Sequence, residues 1–328
     1  MKAGCYLNVR GGVKRFEESL KKYGDEIELI QFDCYPSIET VSMLKDNGCE
    51  AMVYTPTKML GDDFWKIAAD GGLKYVVTCS AGYDHFNLEA MKKYGLKGAN
   101  VPVYSPNAIS EHAVMLTLSI LRNYRKQILN IQNGIYPING LMGKEIRNQV
   151  IGIVGAGRIG YTTMKILKGF GPKKILTYDP YPNDKVKEIA EYVSLEELYK
   201  KSDVIIYHCI YNESNHHMVN EKTIHTMKDG VILVNVARGG LFNINDVYDA
   251  ICSGKIGGLA IDVIEGEDII RSGGKLPIID KLLEHDNVVF TNHTAFFTDE
   301  AERNMVDTMV DNLHDYMTTG SCKFELVK

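Results

Sequence analysis

The sequence predicts an α/β chain of two domains, each built on a parallel sheet with helices on both faces. Three observations carry this reading. Short apolar runs alternate with helix-like segments through the first hundred residues. The alternation starts afresh at "NQVIGIVGAGRIG". The length, 328 residues, is about twice that of a common domain.

The first strands are expected at "AGCYL", "EIELI", "AMVYT" and "KYVVT". These runs are continuously apolar, as in sheets buried on both faces. Between them, "GGVKRFEESLKKYG", "SIETVSMLKDNG" and "GDDFWKIAADGG" have helical spacing and end in Gly, a common helix stop. Strands separated by helices require crossover connections, and hence parallel pairing. "SPNAISEHAVMLTLSILRNYRKQILNIQNG" reads as one long helix with Pro106 in its first turn. Its apolar length predicts burial between domains or subunits. The second series has strands at "KILTYD", "DVIIYH", "VILVNV", "GLAIDV" and "NVVFTN". "TDEAERNMVDTMVDNLHDYMTTG" closes the chain as an amphipathic helix ending at Gly320.

Composition narrows the function. There are 37 basic and 42 acidic residues, a net charge of −5, with no long run of either sign. That argues against nucleic acid or an anionic membrane as partner. No stretch is long and apolar enough to span a bilayer, and the start, "MKAGCYLNVR", lacks the apolar core of a secretory signal. The seven cysteines are scattered and form no CxxC pair. Reduced thiols in a cytoplasm are the expectation.

"VIGIVGAGRIG" contains Gly155-x-Gly157-x-x-Gly160 between an apolar strand and a helix-like run. Glycines at this spacing permit a tight turn, close approach of a pyrophosphate and close helix–strand packing. The helix N-terminus offers free N–H groups to the phosphates. Asp179 ends the next strand, 19 residues after Gly160. A carboxylate there suits ribose hydroxyls and repels a 2′-phosphate, so NAD is favoured over NADP.

"DVIEGED" places Asp262, Glu265, Glu267 and Asp268 within seven positions. It lacks the alternating oxygen ligands of a calcium loop. His216 and His217 are adjacent, so their side chains are expected to diverge, and no metal site is expected. His208 beside Cys209 is read as structural or cofactor-facing, and His112 as a satisfied core or interface residue. His293 and Arg238 each follow an apolar strand, where doubly wound folds place ligands.

In order along the chain, "VPVYSPNAISEHAV", "VGAGRIG", "VNVARGG", "GGLAIDVIEGE" and "NHTAFFTDEAERNMV" together resemble the NAD-dependent D-2-hydroxyacid dehydrogenases, most closely the D-lactate dehydrogenase branch. The resemblance implies two Rossmann-like doubly wound domains with the active site in the cleft between them. A substrate domain would comprise 1–101 and 297–328, with an NAD-binding domain over 102–296. It implies reversible NADH-dependent reduction of a 2-keto acid to the (R)-2-hydroxy acid, with pyruvate or a larger aliphatic or aromatic acid as substrate. It also implies a homodimer through the long helix after Pro106.

By the same resemblance, Arg238 holds the substrate carboxylate and polarises the ketone. His293 donates the proton, and Glu267 is its acid partner. An imidazole's ordinary pKa of about 6.5 suits proton exchange near neutrality, and a neighbouring carboxylate stabilises the imidazolium. Asp262 aligns with a residue that holds the nicotinamide carboxamide, while Glu265 and Asp268 are left to solvent. Arg158 and Ile159 would lie along the pyrophosphate, Cys209 and Ile210 near the adenosine, Asn215 at a further cofactor contact, and Val236 and Ala237 beside the nicotinamide. The Ala81 and Gly82 amides in "CSAGYD" would meet the substrate carboxylate, and Tyr104 would line the pocket.

The chain departs from the family at Cys79, where many relatives carry Arg, at Ile210, where Pro is usual, and at Asn243, where Asp is common. Some relatives on this scaffold are NAD-sensing corepressors. The retained Arg238, Glu267 and His293 favour an enzyme.

Overall fold

The computed structural model describes residues 1–6, 12–55, 59–83 and 86–327. Leu7 of the first expected strand, Gly11 of the first expected helix and Asp84 of "CSAGYD" lie outside the described residues. The chain divides into two compact units, Met1–Ser105 with Phe297–Lys328, and Pro106–Phe296. Residues 102–105, grouped with the cofactor domain on sequence, belong to the first unit.

The first unit carries strands β1 (Lys2–Tyr6), β2 (Glu28–Phe32), β3 (Ala51–Tyr54), β4 (Tyr75–Thr78) and β5 (Lys97–Ala99). They form a parallel sheet in the order β2-β1-β3-β4-β5. All four residues of β3 are buried, as its unbroken apolar run requires. Trp65, on the helix Asp62–Asp70, is fully buried and donates its indole N–H to the Leu60 carbonyl at 3.1 Å. The terminal helix Asp299–Thr319 begins with the Thr298 side chain accepting from Ala301 N–H and ends with Gly320 at φ +76°. It packs back on this unit, against β4 and the helix Gly12–Leu20. Asn312, buried on that helix, donates to the Asn100 carbonyl at 3.0 Å.

The second unit carries β6 (Val150–Val154), β7 (Lys174–Tyr178), β8 (Glu191–Tyr192), β9 (Val204–Tyr207), β10 (Val231–Asn235), β11 (Ile256–Ile261) and β12 (Val288–Phe290). The parallel sheet runs β12-β11-β10-β9-β6-β7-β8. Alternate residues of each strand supply opposite faces. Val204 and Ile206 join Ile151, Ile153, Ile232 and Val234 under the helices Pro106–Leu121 and Arg158–Gly169. Ile205 and Tyr207 join Leu233, Leu259 and Ile261 under the helices Leu195–Lys201 and Ile244–Cys252. Order reverses where β6 meets β9, the position where doubly wound sheets bind ligands beyond the strands' C-terminal ends.

The expected single long helix is two helices, Pro106–Leu121 and Tyr124–Gln132. Asn123 sits in the left-handed region at φ +50°, which Asn tolerates better than most residues, and its side chain donates to the Met142 carbonyl at 3.0 Å. The two halves have different fates. The first buries eight residues, Leu116 and Ile120 among them, within its own unit. The second buries none. Its Tyr124, Ile128 and Ile131 recur at helical spacing and, with Ile135, Tyr136, Ile138 and Met142 beyond it, stand exposed. Among the described residues, no helix is long and apolar enough to cross a membrane.

Candidate active site

After β6 the chain turns at Gly155 with φ +99°. A Cβ there would stand 2.5 Å from the backbone nitrogen of Cys209, which follows β9. A Cβ at Gly160 would stand 2.0 Å from the Gly155 carbonyl oxygen. Neither position accepts a side chain. Gly157 differs. It caps the helix Arg158–Gly169 without any side-chain acceptor, and nothing lies within 4 Å of its missing Cβ. The first-turn N–H groups therefore lie beside open space, as an incoming phosphate needs.

Asp179, just after β7, accepts from Ala156 N–H at 2.7 Å and Tyr181 N–H at 2.8 Å. It holds the glycine turn while each oxygen keeps a lone pair for a hydroxyl. Beyond β9, Cys209 is partly buried and Ile210 is exposed. Asn215 accepts from Asn212 N–H at 2.8 Å and donates to the Ile210 carbonyl at 2.7 Å, bracing this loop. His208 approaches Thr163 Oγ1 at 2.9 Å through Nε2, and its Nδ1 is buried without a hydrogen-bond partner. Burial pushes its pKa down to about 3, so the ring is neutral and packed into the structure.

The four carboxylates of "DVIEGED" separate sharply. Asp262, one residue beyond β11, is 1% exposed. It accepts from the Thr291 hydroxyl at 2.5 Å and from the N–H groups of Thr294 at 2.9 Å and Ala295 at 2.8 Å. His112 Nε2 lies 3.0 Å from Thr291 Oγ1 and 3.5 Å from Asp262. Burial lowers the His112 pKa, although Asp262 opposes this. These bonds hold the turn that carries His293, whose φ of +54° is uncommon for a residue with a side chain.

Glu267 begins the short helix Glu267–Arg271. Its oxygens lie 2.9 and 3.0 Å from His293 Nδ1. Burial raises the Glu267 pKa, but the His293 hydrogen bond and the charges of His293, Arg271 and Arg238 outweigh it and leave the pKa below the usual carboxylate value. Arg238 follows β10 on a turn braced by the buried Asn235, which donates to the Arg238 carbonyl at 2.9 Å and accepts from Ala237 N–H at 3.0 Å. The unit thus gathers a cation, an imidazole and an ionised carboxylate beside a dinucleotide-type turn. That set can orient an anionic substrate and exchange a proton with it.

Residues 114–295 match the family model "D-isomer specific 2-hydroxyacid dehydrogenase, NAD binding domain". The chain belongs to the D-2-hydroxyacid dehydrogenase family. It is 36% identical to an aromatic 2-oxoacid reductase of Clostridium sporogenes, over 100% of this chain and 99% of that one. It is 32% identical to a D-lactate dehydrogenase of Escherichia coli K12, over 100% of both chains. Among solved structures, a D-2-hydroxyisocaproate dehydrogenase aligns with a TM-score of 0.88 and 34% identity, over 100% of both chains.

The chain is therefore an NAD-dependent oxidoreductase that reduces a 2-keto acid to the D-hydroxy acid with NADH. The glycine turn, the open helix start and Asp179 fit that cofactor. Of the D-2-hydroxyacid dehydrogenase residues expected in the first unit, Ala81 and Gly82 follow β4 and are half-buried. Asn100 donates to the Ala81 carbonyl and Ser80 to that of Gly82, each at 2.7 Å. Tyr104 is half-buried, and its carbonyl accepts from Asn304 at 2.7 Å. Cys79 is fully buried, with Sγ 2.7 Å from Thr55 Oγ1, so it occupies core and carries no charge to a substrate.

Glu265 is exposed, as expected, and also lies 2.7 Å from His217 Nε2. One expectation needs correction. His216 and His217 do not diverge. His217 has φ +50°, which turns successive side chains to one side, and the two rings stack at 3.7 Å and 26°. With Glu265 they bring three donor atoms within 4.8 Å of one another. Nearly parallel rings direct their in-plane lone pairs side by side rather than at one point. His217 contacts Glu265 and His216 contacts the Tyr211 hydroxyl, so the cluster joins this loop to the segment after β11.

Asn235, Thr291 and Arg271 escaped the sequence reading. A lone Asn inside the apolar run "VILVNV" and an Arg four residues after Glu267 were the available signals. Asp262→Ala strands a hydroxyl and two N–H groups, each worth roughly 1–3 kcal/mol. Its melting temperature is expected to fall together with the turnover rate. A wild-type melting curve combined with weakened NADH binding would place Asp262 on the cofactor alone.

Proposed function

We propose that His293 is the proton donor, Arg238 the substrate anchor and Glu267 the partner that keeps the imidazolium charged. The observation that carries this is the Glu267–His293 contact at 2.9 Å, whose hydrogen bond and charge, with smaller help from Arg271 and Arg238, hold the Glu267 pKa below the usual carboxylate value. When bound, NADH supplies hydride to the carbonyl carbon. Arg238 pairs with the substrate carboxylate through its planar fork and draws charge toward the ketone oxygen. His293 releases its Nε2 proton to that oxygen, while Nδ1–H stays on Glu267. In oxidation the same nitrogen takes the proton back.

Around the cofactor we assign Gly155, Gly157, Arg158, Ile159 and Gly160 to the pyrophosphate, Asp179 to the adenosine ribose, and Cys209 and Ile210 to the adenosine side. Asn215 holds the shape of that loop. Val236 and Ala237 border the nicotinamide. Asp262 has no open face, so we assign it to bracing the His293 turn rather than to the carboxamide. Ala81, Gly82 and Tyr104 are assigned to the substrate, and the unit Pro106–Phe296 is assigned as the cofactor domain. The substrate we favour is a monocarboxylic 2-keto acid with an aliphatic or aromatic side chain. Buried Cys79 offers no second cation for a dianion, and the similar proteins include an aromatic 2-oxoacid reductase and a D-lactate dehydrogenase. All seven cysteines are free, which suits a cytoplasmic enzyme.

We also propose a homodimer, with its contact on the exposed apolar stripe over 124–142, which takes in the second half of the expected long helix and not its buried first half. Ile138 is 81% and Met142 93% exposed, more apolar surface than a lone chain usually leaves in one segment. Ile131→Asp with Ile138→Asp is expected to yield monomers in sedimentation. A wild-type sedimentation coefficient for the double variant overturns this interface.

Pyruvate, 2-ketoisocaproate and phenylpyruvate are the test substrates, followed by NADH oxidation. Turnover is expected with at least one, and inertness toward all three defeats the substrate assignment. His293→Ala should lower kcat by at least about a hundredfold while NADH still quenches or shifts fluorescence as in wild type. Loss of both together would mark His293 as structural. Glu267→Gln removes a charge that is present throughout the neutral range. The alkaline limb of the reduction profile is then expected to move to lower pH, since the carboxylate no longer favours the protonated ring. An unmoved limb removes Glu267 from the pair.

A further inference from the structure

We propose that Arg271 is a positioning residue that competes with Glu267 for His293 and holds the resting enzyme in a tautomer unable to turn over. The inference rests on His293 as the proton donor. It starts from a conflict at one atom. Arg271 Nη2 lies 2.8 Å from His293 Nδ1, and the two Glu267 oxygens lie 2.9 and 3.0 Å from the same nitrogen. Guanidinium only donates and an ionised carboxylate only accepts. Nδ1 can satisfy one of them at a time. With a proton on Nδ1 it bonds Glu267, and with a lone pair it bonds Arg271.

The two states differ in chemistry. In reduction, the Nε2–H bond breaks as the O–H bond of the product forms, and its electron pair stays on the ring. The ring left behind needs its other proton on Nδ1, which is the state facing Glu267. In oxidation, Nε2 must offer a lone pair, and the neutral ring again needs its proton on Nδ1. When Arg271 donates to Nδ1, the neutral ring carries its proton on Nε2. That form cannot give the proton without becoming an imidazolate, and it has no lone pair at Nε2 to receive one. Arg271 therefore blocks both directions until it swings away.

The surroundings allow that swing. Arg271 ends a helix of five residues and its side chain is 39% exposed. Its second contact, with Glu267, is longer, at 3.5 Å. The other charged groups near His293 are accounted for. Arg238 acts on Glu267 from the turn after β10, and Asp262 accepts the N–H groups of the two residues after His293. His112 stands behind Asp262, and the Phe296 ring meets that of His293 in a T-shaped contact and carries no charge. Among these described neighbours, Arg271 alone brings a donor within hydrogen-bond distance of Nδ1.

Two measurements test this, and only one depends on catalysis. The first is a long-range nitrogen–proton NMR spectrum of the full-length enzyme without NADH, above the pH at which His293 loses its proton. The wild type is expected to show Nδ1 bare and Nε2 protonated. Arg271→Met is expected to reverse the two, and Arg271→Lys, which keeps charge and donor, to restore the wild-type pattern. Protonated Nδ1 in the wild type overturns the proposal whether or not His293 proves to be the donor.

The second is the pH profile of keto-acid reduction. Arg271→Met should move the alkaline limb up by about one unit, so that reduction well above the limb runs about tenfold faster than wild type. Glu267→Gln moves the limb the opposite way. A limb that stays in place, or moves down with Arg271→Met, makes Arg271 a support for Glu267 and overturns the proposal.

Discussion

The Asp262 carboxylate is the constraint on which the site depends. It sits one residue beyond β11, almost wholly out of water, and such a group survives burial only when its oxygens are well supplied with donors. The donors are the Thr291 hydroxyl and two backbone N–H groups of the turn after β12. These bonds tie the two neighbouring strand ends together and force the connecting turn into a fixed shape. His293 then adopts a left-handed backbone, at a cost on the order of 1 kcal/mol that the same bonds offset. A sheet edge alone would deliver a histidine to this region. The buried carboxylate gives its ring a direction.

Much of this arrangement was legible in the sequence. Continuous apolar runs located the strands "VIIY" and "VILVN" because both faces of the sheet are covered, and the glycine pattern located the turn after β6 because Gly155 and Gly160 exclude any side chain. The break at Asn123 was not legible. The helical period continues across it, and the interruption comes from a left-handed residue tied to a carbonyl nineteen positions away. The two-residue strand β8 was hidden for a related reason. Glu191 and Tyr192 have no apolar run of their own and pair only because β7 offers an edge.

The site was partly legible for the same reason that periodicity works. Residues at strand ends of a doubly wound sheet are placed by the sheet, and so Asp179, Arg238 and Asp262 were recognisable positions. Residues that act through a turn are placed by contacts between distant segments. Asn235, Thr291, His112 and Arg271 belong to that class. His112 and Thr291 are separated by 179 residues, yet they share one hydrogen bond. No local spacing encodes it.

The acidic segment shows how backbone geometry sorts chemically similar groups. Asp262 is fixed by the end of a strand and faces the inward N–H groups. Gly266, left-handed at φ +80°, then turns the chain so that Glu267 opens a new helix toward His293. Glu265, just before that turn, faces His217 instead. Because Arg271 lies one helical turn after Glu267, the same geometry that brings the carboxylate to Nδ1 also brings a cation to it. A longer connection, or a helix starting one residue later, would separate the two. The helix that brings a carboxylate to His293 Nδ1 therefore brings a guanidinium to the same atom, and one nitrogen can bond only one of them at a time.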